Sequence, residues 1–136
     1  MKNIIALLIM VFALTFVSEA TAQQIRYVRS PFVKFGARYI NGQPTITINS
    51  FRARLMGPQV TNFFVAHEQA HFRLGHFHQR GRKSIRRIEA EADTYAYRSV
   101  SPQSARAASR WFATRPLQIQ GRQTHGTFQQ RANRYR

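Results

Sequence analysis

Two histidines four residues apart, His67 and His71, enclose a glutamate in the run His67-Glu68-Gln69-Ala70-His71. On a helix, residues at that spacing stand about one turn apart on one face, so both imidazoles can bind a single ion. Glu68 then sits beside any water held at that ion, where a carboxylate can act as general base. This is the chemistry of a zinc hydrolase, and it requires a third protein ligand. Eighteen residues after His71, the run Glu89-Ala90-Glu91-Ala92-Asp93 offers three carboxylates. Glu89 and Asp93, four apart, share a helix face, whereas Glu91 points away. We therefore assign Glu89 as the third metal ligand and Asp93 as the carboxylate behind it, holding the outer N–H of a metal histidine. The fourth position is left to water, and Glu91 is read as a solvated or arginine-paired carboxylate.

These residues need two helices to present them. Val60, Phe63, Phe64, His67, Ala70, His71 and Leu74 recur at spacings of three and four, a stripe that the histidines continue. Pro58 suits the first helical position and Gly75 the stop, which predicts a metal helix over Pro58 to Leu74. Ser84 is placed to cap a second helix, with Ile85, Ile88, Glu89, Ala92, Tyr95 and Ala96 inward, that runs until Ser101-Pro102. Ala92 and Ala96 are small enough to let it approach the metal helix closely. Pro102 opens a third helix to about Thr114, with Ala105, Ala108, Trp111 and Phe112 inward. His76 to Lys83 reads as a polar loop, with His76 and His78 as loop histidines. Before the metal helix, Phe51, Leu55 and Met56 are spaced for a short helical turn ending at Gly57. Further upstream, the alternation in Phe32 to Tyr39 and the β-branched run Thr45 to Asn49 predict a hairpin over about Val33 to Asn49. Asn41-Gly42 marks its turn, in a loop read as extending through Pro44 and so longer than a tight two-residue connection. The fold class expected is α+β: a short β-hairpin or small sheet, then a zinc-binding helix pair, then a third helix.

The whole chain sets the setting. Residues 1–22 read as a signal peptide: Lys2 is the positive start, Ile4 to Val17 an apolar run of fourteen, and Ala20-Thr21-Ala22 a small-residue cleavage site. Fourteen residues fall short of the roughly 20 needed to span a bilayer core, so an uncleaved membrane anchor is the minority alternative. The expected location is secreted or periplasmic. The remaining 114 residues suit one domain, 23–116, followed by a basic tail over 117–136 that has almost no aliphatic content and reads as disordered without a partner. There is no cysteine, so a bound metal would take the place of the usual disulfide staple of a small exported domain. Beyond residue 22 the net charge stays at +16, and the carboxylate side chains reduce to Glu68, Glu89, Glu91 and Asp93. Eighteen arginines against three lysines favour bidentate contacts with phosphates or carboxylates. An anionic envelope polymer or a membrane surface fits that face. Nucleic acid is disfavoured, because no reading motif accompanies the charge.

The pair HEQAH and EAEAD resembles the gluzincin metallopeptidases, which carry HExxH on one helix and a glutamate ligand on the next. The form Glu89-x-x-Ala92-Asp93 is closest to the family of the CAAX prenyl proteases and the bacterial heat-shock and periplasmic quality-control metalloproteases. The resemblance covers about Thr45 to Ala113, in a chain that is short for that family and lacks the multi-span membrane region of the prenyl proteases. It implies a minimal zincin-like core, one zinc per chain held by His67, His71 and Glu89, Glu68 as general base, and Asp93 behind the ligands. It also implies a strand before the metal helix along which a peptide or unfolded-protein substrate lies. The metzincin pattern HExxHxxGxxH does not fit: Gly75 and His76 are out of register, Phe77 stands at the third histidine position, and no methionine follows the site. The function expected is therefore an exported zinc endopeptidase. Its alternative is a non-catalytic cationic binding protein with a structural metal. Candidates for stabilising the oxyanion are His76, His78, Tyr95, Tyr97, His125 and several arginines, with none singled out.

Overall fold

The computed structural model describes residues 23–114 together with Arg131. The expected leader, 1–22, and all of the expected tail except Arg131 lie outside the described residues. Three strands, β1 (Arg26–Ser30), β2 (Gly36–Ile40) and β3 (Gln43–Asn49), are followed by four helices: α1 (Ser50–Met56), α2 (Pro58–Arg73), α3 (Ile85–Ser99) and α4 (Pro102–Ala113). A single 3-10 turn, His76–His78, lies between α2 and α3. The architecture is α+β, a small three-stranded sheet against helices, as the sequence predicts.

The strand order is β1-β3-β2, with β3 central, antiparallel to β2 and parallel to β1. The hairpin forms, but its turn is tighter than the sequence reading expected. Ile40 pairs directly with Gln43, leaving only Asn41 and Gly42 between the strands, both at positive φ (51° and 75°). Two consecutive left-handed residues match the twist of a two-residue hairpin, and Asn-Gly is the sequence that tolerates it best. Pro44 falls inside β3, opposite Tyr39, rather than in the loop. Strand β1 has no counterpart in the sequence reading. Most of its residues are exposed, so no alternation reveals it, and it exists by pairing with the buried β3.

The helices follow their end signals closely. Asn49 caps α1 by accepting from Arg52 N–H, Ser84 caps α3 by accepting from Arg87 N–H, and Ser101 caps α4 by accepting from Ser104 N–H. Gly75, at φ 65°, carries the chain out of α2 in the left-handed region. Helix α2 lies between two apolar clusters. On one side Phe63 and Ala66 pack with Ala96, Ala108 and Phe112 of α3 and α4. On the other, Val65 and Phe72 pack against Ile46, Ile48 and Ala53 of the sheet and α1. Two polar links brace it: Thr61 Oγ1 donates to the Ala53 carbonyl in a buried contact, and Ser104 Oγ donates to Gln59 Oε1 in a partly buried one. Among the described residues, no helix is long and apolar enough to cross a membrane.

Candidate metal centre

Helix α2 carries His67, Glu68 and His71, and α3 carries Glu89, Glu91 and Asp93. Ala92 and Ala96 are fully buried between the helices, so α3 lies close enough to α2 for short side chains to meet. Three ligand atoms converge there. His67 Nε2 lies 3.1 Å from Glu89 Oε2, His71 Nε2 lies 3.3 Å from His67 Nε2, and His71 Nε2 lies 3.8 Å from Glu89 Oε2. Tetrahedral ligands at zinc bond lengths of about 2.0–2.1 Å stand roughly 3.4 Å apart, so these separations suit one small ion. The donor set, two imidazoles and one carboxylate, is also that of an open metal site. His67, His71 and Glu89 therefore form a group that could hold a metal ion.

Asp93 lies on the opposite side of the His67 ring from Glu89. It is fully buried, and its Oδ1 lies 2.9 Å from His67 Nδ1. Its partner on the other side is one that sequence reasoning missed. Arg131 is helical and only 4% exposed; its Nε donates to Asp93 Oδ2 at 2.9 Å while its Nη2 reaches Oδ1. Its guanidinium also stacks 4.1 Å from the centre of the Phe112 ring. No local signal marks this arginine, which lies 38 residues from its carboxylate within the segment assigned to the tail.

These contacts set the charges. Burial alone would raise the Asp93 carboxyl, but the hydrogen bond and charge of His67, with the Arg131 guanidinium, hold it below the ordinary carboxylate value. Burial likewise disfavours a charged His67, yet the hydrogen bonds to Asp93 and Glu89 outweigh it and push its pKa up to about 9. In the metal-free protein His67 is thus protonated at neutral pH.

Glu68 lies near enough to His67 to raise its pKa by its charge, and its Oε2 accepts the backbone N–H of Ala37 in β2 at 2.8 Å. A backbone donor leaves no trace in side-chain patterns, so this contact could not be foreseen. Strand β2 is itself fastened near the site, because Tyr39 meets Phe72 and Phe77 edge-on at 5.4 and 5.3 Å.

His76, read as a loop histidine, and Glu91, read as a solvated or arginine-paired carboxylate, are part of the centre's surroundings. His76, expected in an open loop, is 2% exposed, and its Nδ1 lies 3.1 Å from His71 Nδ1. Its Nε2 lies 3.3 Å from Glu91 Oε2. Glu91 is paired with Arg87 as anticipated, but also with Lys83 and His76. The hydrogen bond from Lys83, ahead of those from Arg87 and His76, holds the Glu91 carboxyl below its ordinary value. His76 itself is lowered, because burial outweighs the pull of Glu91. Ile85, expected inward, is 57% exposed at the start of α3 and lines a cavity of about 320 Å³ with His71, His76, Phe77, Ile88 and Glu89. Of the oxyanion candidates, Tyr97 is engaged in the helical core by Ser109 and Phe63, and His125 lies outside the described residues. Comparison with protein-family models, with curated proteins and with solved structures finds no match to this chain.

Proposed function

We propose that this protein is an exported zinc-dependent endopeptidase. The observation that carries the reading is the convergence of His67 Nε2, His71 Nε2 and Glu89 Oε2 next to Glu68, whose carboxylate lies against the backbone of β2. Zinc held by those three groups would supply Lewis acidity toward a peptide carbonyl and lower the pKa of a water to about 7. The chain supplies the rest. Glu68 takes a proton from the attacking water and delivers it to the departing amine nitrogen, giving a free carboxylate and a free amine. Asp93, clamped by Arg131, keeps the His67 ring oriented with Nε2 toward the cage.

Substrate placement follows from the sheet. Strand β3, the strand before the metal helix on which the resemblance placed the substrate edge, is central and paired on both sides, so the edge that meets the metal helix is β2, where an extended peptide can add through backbone hydrogen bonds. The 320 Å³ cavity beside His71 and Glu89, with Phe77, Ile85 and Ile88 in its walls, is large enough for one bulky apolar side chain. A second reading keeps the metal as a staple and assigns the protein to binding anionic envelope polymers or membrane surfaces; the net charge of +16 favours it. Both readings are separated by Glu68→Gln. As a peptidase, the purified protein cleaves an unstructured substrate such as casein, and the variant loses that activity while keeping its zinc. Full cleavage by the variant would sink the mechanism. Absence of cleavage by wild type, with salt-sensitive polymer binding untouched by the substitution, would favour the second reading.

A further inference from the structure

The two metal histidines are supported from behind by different devices. For His67 the support is a buried carboxylate, Asp93. For His71 it is another histidine: His76 Nδ1 sits 3.1 Å from His71 Nδ1, and Glu91 sits 3.3 Å from the far nitrogen of His76. Counting donors and acceptors along that chain gives one consistent direction. An ionised Glu91 only accepts, and it receives Lys83 Nζ at 2.8 Å and Arg87 Nε at 3.1 Å. A carboxylate facing His76 Nε2 fixes the proton of a neutral His76 on that nitrogen and leaves Nδ1 as an acceptor. His71 must then donate from its own Nδ1, which leaves the lone pair of its Nε2 directed at His67 and Glu89.

We propose that His76 is a positioning residue for the metal centre, which, backed by Glu91, Lys83 and Arg87, fixes the tautomer and ring orientation of His71. The geometry of the turn supports this. Gly75 adopts the left-handed conformation immediately after α2, turning the 3-10 segment so that His76 folds back under the helix end. Phe77, next in the chain, stacks on Phe72 at 5.0 Å and meets Tyr39, which anchors the turn to α2 and β2. A histidine that is 2% exposed, with both ring nitrogens engaged, is held more firmly than an open loop requires. The inference rests on the metal reading and is independent of whether the centre cleaves peptides.

The test is metal affinity of the full chain, measured with Zn²⁺ and Co²⁺ against a chromophoric chelator, together with the visible spectrum of the cobalt form. Removing a group that orients a metal ligand typically weakens binding about 10–100-fold, so His76→Ala should lose about that much and show an altered cobalt spectrum. His76→Gln should recover much of the loss, since an amide can accept from His71 and donate to Glu91. Glu91→Gln should show a smaller loss in the same direction, and His78→Ala, an exposed neighbour, none. Wild-type affinity and an unchanged cobalt spectrum in His76→Ala would overturn the proposal, as would a lower unfolding temperature with an unaltered spectrum. Should His76→Ala not fold, unchanged affinity in Glu91→Gln, a partly exposed and nearly isosteric change, overturns it equally. A wild type that binds neither ion removes the metal reading itself, a failure distinguishable from that of His76 alone.

Discussion

Asp93 is fully buried between two partners, His67 and Arg131, and its energetics depend on keeping both. Removing one member of a buried pair leaves an uncompensated charge and costs about 3–5 kcal/mol. Arg131→Ala is therefore expected to destabilise the protein by about that amount, measured by denaturant unfolding, and Arg131→Lys to restore little of it because a lysine cannot form the two-pronged contact. His67 carries the pH dependence. An unfolded histidine titrates near 6.5 and this one, metal-free, near 9, so the stabilisation from its protonated contacts is complete below 6.5 and is lost as the pH rises toward 9. The metal-free protein should accordingly show a falling Tm across that window. Metal must displace the same proton, so apparent metal affinity should rise across it by about tenfold per pH unit, measurable by chelator competition. Much of this residue-level arrangement was legible. Glu89 and Asp93 were separable from Glu91 because helical geometry gives spacings of four and two opposite meanings. Arg131, His76 and the Ala37 N–H were not, because each is set by how the chain returns in space.

At the scale of elements, the centre depends on how closely α3 approaches α2. Ala92 and Ala96 have no exposed surface, so neither has room for a larger side chain. Ala92→Leu is expected to cost about 1–3 kcal/mol by overpacking and to weaken metal binding as well, because it pushes Glu89 away from His67. Chemical denaturation and metal titration of the same variant check the two effects together. The elements that the sequence specified best were those with explicit ends. Pro58 and Gly75 bracket α2, Ser84 starts α3, and Ser101-Pro102 separates α3 from α4. Strand β1 and the tight Asn41-Gly42 turn were less legible: β1 shows little of the apolar alternation of a half-buried strand, and the turn was obscured by a proline that the strand tolerates.

As a whole molecule, the protein joins two small apolar clusters across α2 with no disulfide, under a net charge of +16. Against self-repulsion of that size and with a modest core, an ion held by the cage would contribute substantially to stability. Chelation is thus expected to lower the Tm markedly, by calorimetry or circular dichroism, and added zinc to restore it. The amino-acid composition points to the same centre: beyond residue 22, the chain has only four carboxylate side chains, and all of them fall on α2 and α3. Three lie in or beside the ligand cage, and the fourth, Glu91, supports it through His76. The central claim is that His67, His71 and Glu89 together hold one metal ion. Metal content by elemental mass spectrometry, on purified wild type and on Glu89→Ala, tests it most directly. The purified wild type should hold about one zinc per chain, and the variant should lose most of it. A metal-free wild type, or a Glu89→Ala protein that keeps its full complement, would contradict it.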